Sequence, residues 1–392
     1  MNVIYIASTF DEECLNKYFD KNNLPQYAAN KYHTLMFEGF KKNDLNVKLL
    51  SVLPVNANNP RKIIRGFEKK DGNKVIHYLT ILNMPLLKHF LLCFESFIQV
   101  FTAKYGTVVM YDVLVLSPSI GAVLAARLRH FQKVGIVTDL PRFMPIAKNK
   151  RQLRINEWLL KQADGFIVLT EDINQEINTA NKPHLVLEGH SDENMLKLMH
   201  IWNTADLKIV VYAGSLDKKY GIEELCYEFI RIAKENEELH IYGSGEYLSE
   251  LNLIASRYKN IISHGRVLNN EVINAELSAT LLVNPRGSYD EYTRFSFPSK
   301  TLEYMSSGTP VLMSRLPGLP DEYLKYVFLF DDRITNDLGD KIRLILDKRV
   351  EELELYGKNA RNFILQNKNN VIQTQKIIKW MEKEIVSSKE KK

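Results

Sequence analysis

Cysteine is scarce in this sequence. The three cysteines, Cys14, Cys93 and Cys226, are odd in number and far apart, which argues against a disulfide framework and against a zinc site. A reducing compartment suits this composition. The chain enters an apolar strand at once, without the basic and apolar segments of a secretion signal, so we expect a cytoplasmic protein.

The sequence also lacks the local signatures of several enzyme classes. It contains no G-x-S-x-G, H-E-x-x-H, D-x-D or G-x-x-x-x-G-K-[ST] motif. These absences argue against a serine hydrolase, a zinc protease, a metal-carboxylate transferase and a P-loop NTPase. The net charge of +5 is far from that of a nucleic-acid-binding tail, but it is compatible with anionic small substrates or with an anionic membrane surface.

Length and apolar pattern predict two α/β domains. The chain has 392 residues, 45% of them hydrophobic and 25% charged, which suits a globular protein with two cores. Short apolar runs alternate with amphipathic stretches such as 221–234, and this pattern is typical of doubly wound parallel sheets. The predicted strands are Val3–Ala7, Val47–Leu53, Val113–Leu116, Gly135–Thr138, Gly165–Leu169, Leu185–Leu187, Ile209–Tyr212, Leu239–Tyr242, Ile261–Ser263, Leu281–Asn284, Pro310–Met313 and Val327–Phe330.

There are too many strands for one sheet of usual size, so we expect a break near 200–208. There Trp202–Asp206 precedes a fresh strand, glycine turn and helix. The first domain is predicted at 1–200 and the second at 207–370. A last helix at 371–387 has an apolar stripe that can pack back on the first domain.

Two glycine turns follow predicted strands in the second domain. They are Tyr212–Leu216, which contains Gly214, and Ile241–Glu246, which contains Gly243. Glycine after a strand lets the backbone approach a ligand closely, although an ordinary strand–helix turn explains the first segment equally well. The second lacks a third glycine, since Leu248 stands in its place, and this weakens a dinucleotide-binding interpretation.

A helix is predicted at 298–307, with Pro298 at its first position and Gly308 as its C-terminal cap. Lys300 lies in the first turn, where the helix dipole disfavours a cation. A bound diphosphate would remove this conflict, held by free amides, the Ser299 hydroxyl and the Lys300 ammonium. Glu303 lies on the same face and could accept hydrogen bonds from a ribose diol. The alternative is a solvated Lys300–Glu303 ion pair of little consequence.

Asp139 stands at the carboxyl end of a predicted strand in the first domain, within Val137–Arg142. Ligands of open parallel sheets bind at that edge, so Asp139 is a candidate site residue. A helix-capping role is the equally good alternative.

Most of the second domain resembles glycosyltransferase family four, a group of retaining enzymes with the GT-B fold. The order and spacing of the segments carry the resemblance, and the region 297–320 is similar to transferases that build capsular or exopolysaccharides. The matching segments are Tyr212–Ile222, His240–Glu246, His264–Val267, Leu281–Arg286, Phe297–Leu312 and Leu316–Pro320. In the first domain, the helix around Phe37–Phe40 and the turn Thr138–Pro141 fit the same group.

The resemblance implies two facing Rossmann-like domains, with the sugar donor held by the second, and it implies roles for individual residues. These roles are Gly214 and Ser215 beside the donor phosphates, Gly243 and Arg266 near the base, Ser299 and Lys300 at the diphosphate, Glu303 at the ribose and Asp139 at the transferred sugar.

The sequence departs from the family pattern at three places. Phe295 stands where the family often has the first of two glutamates, and Ser215 stands where an arginine often follows the first glycine turn. Lys219 or its neighbour Lys218 only roughly matches the lysine of that turn, and a histidine expected near Asp139 is missing. The resemblance then implies that Lys300 and Arg294 supply the charge at the diphosphate.

The implied reaction moves a sugar from a nucleoside diphosphate, UDP being the expected one, to a hydroxyl of a glycan or lipid-linked acceptor. It requires no metal and no cofactor, because the leaving diphosphate takes the acceptor proton while cations and helix amides stabilise its charge. No nucleic-acid partner is expected. Two alternatives remain open, a non-catalytic subunit that binds a nucleotide or a partner enzyme, and a sugar-nucleotide epimerase of the same fold.

The segment 84–105 is rich in large apolar residues, but the charges of Lys88 and Glu95 interrupt it and make a membrane span unfavourable. One interpretation is an apolar helix buried in the first domain. The other is a partly exposed helix that dips into the inner face of the plasma membrane, where a lipid-linked acceptor lies. Basic residues that would add attraction to anionic lipids are Arg142, Lys148, Lys150, Arg151 and Arg154.

Overall fold

The computed structural model describes residues 1–19, 27–71, 74–144, 149–201 and 206–387. The chain forms two compact units, one of Met1–His190 with the C-terminal segment that begins at Asn370, and one of Ser191–Asn369. The division lies earlier in the chain than the predicted boundary at 200. The predicted linker residues Trp202–Ala205, as well as Lys148, lie outside the described residues.

The first unit is built on an eight-stranded sheet of order β10-β9-β8-β7-β1-β2-β5-β4, with β3 and β6 as a separate pair. Its strands run parallel except for β4, which pairs antiparallel with β5. The strands are β1 (Asn2–Ala7), β2 (Asn46–Ser51), β3 (Ile63–Ile64), β4 (Phe67–Asp71), β5 (Lys74–Tyr78), β6 (Ile81–Leu82), β7 (Thr107–Asp112), β8 (Gln132–Val137), β9 (Gly165–Val168) and β10 (His184–Val186).

Helices cover the central strands of this sheet, and β1, β7 and β9 are accordingly almost continuously apolar and buried. The helices are α1 (Glu12–Tyr18), α2 (Tyr27–Lys42), α3 (Leu87–Phe101), α4 (Leu116–Leu128), α5 (Lys150–Gln162), α6 (Glu171–Ile177) and, at the C-terminal end, α13 (Asn370–Trp380), followed by a π-helix at Met381–Val386.

Helix α13 packs on α2 within the first unit. A Cβ added at Gly39 would lie 2.3 Å from the Asn370 carbonyl oxygen, so the two backbones touch closely. Asn43 Nδ2 donates to the Val371 carbonyl at 2.8 Å and to Thr374 Oγ1 at 2.9 Å. Ile377 of α13 joins the buried core of this unit.

The predicted strand Val113–Leu116 is wrong, because the strand in this region is β7, which ends at Asp112. Asp112 Oδ1 accepts from the Leu114 amide at 2.8 Å and closes a turn directly after the strand. Helix α4 then begins at Leu116. The apolar run continues through the turn, so hydrophobicity alone did not mark the end of the strand.

The second unit contains a six-stranded, fully parallel sheet of order β13-β12-β11-β14-β15-β16. Its strands are β11 (Lys208–Ser215), β12 (Glu237–Ser244), β13 (Ile261–Gly265), β14 (Leu281–Asn284), β15 (Val311–Ser314) and β16 (Phe328–Phe330). Its helices are α7 (Ile222–Ile232), α8 (Leu248–Arg257), α9 (Asn269–Ser278), α10 (Ser299–Ser307), α11 (Asp337–Leu346) and α12 (Val350–Asn367).

The predicted apolar stripe of 221–234 is the buried face of α7. Ile222, Leu225, Cys226 and Phe229 are all buried in the core between this helix and the sheet. The burial of each such side chain contributes roughly 1.5–3 kcal/mol, so this face fixes the helix that follows the first glycine turn.

Helix α3 is the predicted apolar helix of the first unit, and it is not fully buried as one interpretation required. Leu92, Ser96 and Val100 face inwards, whereas Phe90 and Phe94 are 64% and 54% exposed. Within the described ranges, no helix is long and apolar enough to cross a membrane.

Candidate functional site

The two glycine turns lie side by side at the carboxyl edge of the second sheet. Strands β11 and β12 pair in parallel with Gly214 opposite Gly243 and Ser215 opposite Ser244. Gly243 has a φ of +145°, and a Cβ there would lie 1.8 Å from the Gly214 carbonyl oxygen. Only glycine fits, because both the backbone conformation and the space exclude a side chain. The register therefore creates an open strip of backbone at the edge where ligands of parallel sheets bind.

Helix α10 is docked against the same edge. The Tyr304 hydroxyl accepts from the Ala213 amide at 2.8 Å and donates to the Ala213 carbonyl at 3.1 Å. The predicted helix is present, but it begins one residue later, at Ser299. Pro298 is therefore its N-cap residue and not its first helical residue, whereas Gly308 is the C-cap as predicted, in the left-handed region at φ +87°. Pro298 offers no side-chain cap. The Thr301 amide donates to the Pro298 carbonyl at 2.8 Å, whereas the amides of Ser299 and Lys300 keep their capacity to bind an anion.

Lys300 in the first turn of α10 lies next to the first glycine turn. A Cβ added at Gly214 would lie 3.0 Å from Lys300 Cε. Lys300 and Glu303 form no ion pair with each other, and no carboxylate among the described residues lies within ion-pair distance of Lys300. The alternative interpretation, a solvated ion pair between Lys300 and Glu303, therefore does not explain the lysine at this position. Lys300 thus places a cation without a carboxylate partner among the described residues at the positive end of a helix, an arrangement that a bound anion would stabilise.

Lys219 occupies a second part of this edge, in the 3-10 helix Lys218–Tyr220 before α7. Its ammonium lies 5.0 Å from the ring centroid of Tyr220 and 6.0 Å from that of Tyr292. Lys218, in contrast, forms ion pairs with Glu223 and Glu250. Of the two lysines after the first glycine turn, Lys219 is thus the one whose charge no carboxylate of the described residues neutralises.

Arg286 is a cation at this edge that sequence reasoning missed. It follows β14, and its guanidinium carbon lies 4.5 Å from the Tyr292 ring centroid and 5.9 Å from that of Tyr220. It is only 9% exposed, and Nη2 donates to Ser296 Oγ at 2.7 Å. The sequence signal is an arginine two residues past a buried strand, at the edge where ligands bind.

Ser215 and Arg266 lie on the surface of this edge. Ser215 is exposed and its hydroxyl donates to Asp217 Oδ2 at 2.8 Å. Arg266 is exposed and follows Gly265, which has a φ of +64° at the end of β13. Just before it, His264 stacks on Tyr242 with ring centroids 4.1 Å apart. This flat aromatic pair adjoins the second glycine turn and is another feature that sequence reasoning did not single out.

Burial raises the pKa values of two tyrosine hydroxyls beneath the site. Burial raises the pKa of Tyr304 well above its usual value, and burial followed by the neighbouring Tyr220 raises the pKa of Tyr212. Both phenols therefore stay neutral at physiological pH. The Tyr212 hydroxyl donates to the Ser215 carbonyl at 2.6 Å, so it shapes the turn and carries no charge.

The remaining predicted residues lie on α10, on the 3-10 helix before it and in the first unit. Ser299 is the exposed first residue of α10. Arg294 is exposed in the 3-10 helix Glu291–Phe295, and Phe295 beside it is buried. Asp139 belongs to the first unit, where it is half-buried after β8. The short helix that follows begins with Leu140 as its N-cap residue, so Asp139 does not hold that cap position.

A comparison with family models finds a match within the second unit. Residues 207–348 match the family model described as "Glycosyl transferases group 1". This range contains the glycine turns, Arg286 and α10. No curated protein matches the chain.

Solved structures resemble the chain over nearly its whole length. Sucrose-phosphate synthase from Thermosynechococcus elongatus has a TM-score of 0.68 at 17% identity, covering 97% of this chain and 98% of its own. Anabaena HepE in complex with UDP has a TM-score of 0.67 at 12% identity, with coverages of 97% and 100%. A variant of S. aureus TarM, in complex with Fondaparinux, alpha-GlcNAc-glycerol and UDP, has a TM-score of 0.63 at 13% identity, with coverages of 97% and 99%.

These structural neighbours are GT-B glycosyltransferases with two Rossmann-like domains. The predicted fold class, α/β with parallel sheets in a GT-B chain, is therefore confirmed. At these identities the likeness concerns the fold, and function has to be argued from the site.

Proposed function

We propose that this chain is a retaining, metal-independent glycosyltransferase that moves a sugar, of the hexosyl type, from a nucleoside diphosphate sugar to a hydroxyl. UDP is the expected nucleotide, as in the HepE and TarM complexes. The observation that carries the proposal is Lys300, an ammonium without a carboxylate partner among the described residues, between the uncapped start of α10 and the strip of Gly214. This arrangement suits a diphosphate.

In this proposal the diphosphate is both the group by which the donor is bound and the leaving group. Its oxygens bind to the backbone at Gly214 and Ser215 and to the Ser299 hydroxyl. The ammoniums of Lys219 and Lys300 neutralise its charge. Arg294 adds charge from the surface. Positive charge and helix amides matter most as the sugar–phosphate bond breaks, because negative charge then grows on the leaving oxygens.

The base and the ribose have their own candidates in the proposal. Gly243 and Arg266 adjoin the base, and the Glu303 carboxylate accepts from the ribose diol. Asp139 of the first unit contacts the transferred sugar, as the family resemblance implies. The acceptor hydroxyl attacks from the face that the leaving group departs, and the leaving diphosphate takes its proton, so no protein nucleophile is required.

The proposed acceptor is a glycan or a lipid-linked glycan in the biosynthesis of a capsule or other polysaccharide. The exposed apolar face of α3 supports a peripheral contact with the inner face of the plasma membrane. Helix α4 packs on both α3 and α5, and α5 carries the exposed cations Lys150, Arg151 and Arg154. Apolar side chains beside basic ones are typical of reversible membrane association. Arg142 contributes less, since it pairs with Glu176.

The proposal is tested with the purified chain and a panel of UDP-, GDP- and ADP-sugars. Thermal shift first identifies the nucleotide, because a saturating ligand raises stability by about 2–4 kcal/mol. Slow hydrolysis of the matching donor is then measured for wild type, Lys300→Ala and Arg257→Ala. We expect Lys300→Ala to lower turnover more than donor affinity. Arg257 ends α8, at the opposite edge of the sheet, and its variant is the control.

Other outcomes separate the alternatives. Nucleotide binding without any hydrolysis or transfer would indicate the non-catalytic subunit, for which Phe295 and Ser215 are the motivation. Conversion of the donor into its epimer without an acceptor would indicate the epimerase. No stabilisation by any nucleoside diphosphate would contradict the proposal as a whole.

A further inference from the structure

Burial of the Arg286 guanidinium is unfavourable in free energy, and the contacts within the fold do not compensate for it. A guanidinium carries five N–H donors, and a buried charge is unfavourable unless it is paired and hydrogen-bonded. The residue is only 9% exposed, yet among the described residues its guanidinium makes one hydrogen bond, to Ser296. Its Nε is buried without a hydrogen-bond partner, and no carboxylate of the described chain lies within ion-pair distance.

Several other cations of the second unit are paired with carboxylates. Arg231, Arg343 and Lys218 each contact at least one carboxylate, with N–O distances of 2.7–3.3 Å. Arg286 instead shares its two tyrosine rings with the ammonium of Lys219. Two like charges around the same rings repel each other, and cation–π attraction of about 1–2 kcal/mol each offsets this only in part. An anion between them would remove the repulsion.

The position of Arg286 relates it to the missing arginine of the first glycine turn. Strands β11 and β14 are neighbours in parallel register, with Val210 opposite Leu281 and Val211 opposite Leu282. Ser215 is the last residue of β11, and Arg286 follows the end of β14 by two residues, so both lie at the carboxyl edge of neighbouring strands. Ser215 is the position where the resembling family often carries an arginine, and here it has a short hydroxyl bonded to Asp217.

The start of α7 determines which residues surround Arg286. Gly221, at φ +76°, packs so closely on the loop after β14 that a Cβ there would lie 2.1 Å from the Pro285 carbonyl oxygen. Tyr220, one residue earlier, thereby comes against Arg286. The guanidinium is held between elements that both border the glycine turn, which limits the conformational entropy lost when a ligand binds.

We propose that Arg286 is a diphosphate-binding residue, which supplies from the neighbouring strand the guanidinium that is absent at Ser215 and acts together with Lys219 and Lys300. The assignment rests on the proposed function, since it names a further residue for the same donor site. A guanidinium suits this task because its planar donors match phosphate oxygens in pairs.

The test compares Arg286→Gln with wild type in calorimetric titrations with UDP, uridine and inorganic pyrophosphate at one low ionic strength. We expect UDP affinity to fall about 10- to 100-fold, as for lost hydrogen bonds between charged groups, and pyrophosphate binding to weaken with it. Uridine affinity should change less than about 2-fold, because uridine lacks the phosphates. The matched control Arg257→Gln removes an arginine at the far edge and should bind all three probes like wild type.

The deciding quantity is the ratio of UDP to uridine affinity. An unchanged ratio in Arg286→Gln overturns the assignment, whether both affinities stay or both fall. If that variant lacks a cooperative thermal transition, Arg286→Lys replaces it, since it keeps the charge beside Tyr292 and loses the paired donors; an unchanged ratio there overturns the assignment equally. Failure of wild type to bind any nucleoside diphosphate is a different result, which contradicts the proposed function itself.

Discussion

At the scale of single residues, Gly243 shows the tightest constraint in the site. Its φ is +145°, and a Cβ added there would lie only 1.8 Å from the Gly214 carbonyl oxygen, which leaves no room for alanine. We expect Gly243→Ala to push β11 and β12 apart at their carboxyl ends and to destabilise the protein by about 1–3 kcal/mol. Thermal unfolding measures the loss, and UDP titration measures the damage to the strip.

Gly106 provides the matched control for that substitution. It also has a positive φ, +75°, but a Cβ there would meet no atom of the described residues within 4 Å. Gly106→Ala therefore isolates the cost of backbone conformation from the cost of the steric clash. If both variants lose the same stability and bind UDP equally well, the close approach of the two turns is not required for stability or for UDP binding.

Residues with conformations set by the local backbone could be predicted from sequence. Gly214, Gly243 and Gly308 stand at strand or helix ends in patterns that demand glycine, and the structure has them there. Arg286 could not be found in this way. Its environment comes from Tyr220, Tyr292 and Ser296, which lie on other segments, so only the tertiary structure reveals the buried guanidinium.

At the scale of elements, the exposed face of α3 makes a measurable prediction. Phe90 and Phe94 stack at 6.1 Å between ring centroids and are both more than half exposed. We expect the chain to sediment with anionic liposomes at low salt and to be released by high salt. Changing both phenylalanines to Ser should reduce the bound fraction about 10-fold or more, because each contributes roughly 1–2 kcal/mol of apolar burial.

Leu253→Ser is the control for this experiment. Leu253 is 61% exposed on α8 of the second unit, so its loss removes apolar area from a surface that the proposal does not use. Equal effects of the two changes would argue against a specific membrane face. Protein that stays in the supernatant at low salt would leave α3 without a lipid role.

The order of elements was largely predictable, because strand and helix periodicities differ clearly in this chain. Most predicted strands of both sheets match the structure within a few residues, and 281–284 matches β14 in full. The failures have physical causes. The apolar run through Asp112 hid the turn that ends β7, and the short strands β3 and β6 have too few residues for a periodic signal. Strands β4 and β5 were also missed, and β4 shows no apolar run because four of its five residues are charged.

At the scale of the whole molecule, stability links to pH through buried histidines. His190, at the end of the first unit, is 8% exposed, and neither ring nitrogen has a hydrogen-bond partner within the described part of the chain. Burial, followed by repulsion from His33, lowers its pKa to about 3. Burial likewise lowers the pKa of His200 in the second unit to about 4, so both units carry an acid-sensitive group.

The sign of the effect follows from proton uptake. Unfolded His190 binds a proton below its ordinary pKa of about 6.5, whereas the folded residue stays neutral until about 3. Between these values the unfolded state holds more protons, so the free energy of unfolding falls as pH falls, by up to about 1.4 kcal/mol per pH unit. Above about pH 6.5 both states are neutral at this residue, and His190 adds no further pH dependence.

We expect wild type to lose about 2 kcal/mol more than His190→Gln when urea unfolding at pH 7.5 is compared with pH 5.0 at constant ionic strength. Glutamine is uncharged at both values, so the variant lacks this proton uptake while it keeps a polar side chain of similar length. Its stability at pH 7.5 sets the baseline for the lost packing on Tyr32, whose ring lies 4.9 Å from that of His190. Identical losses in the two proteins would show that His190 takes up its proton in the folded state, and the burial argument for this residue would then be wrong.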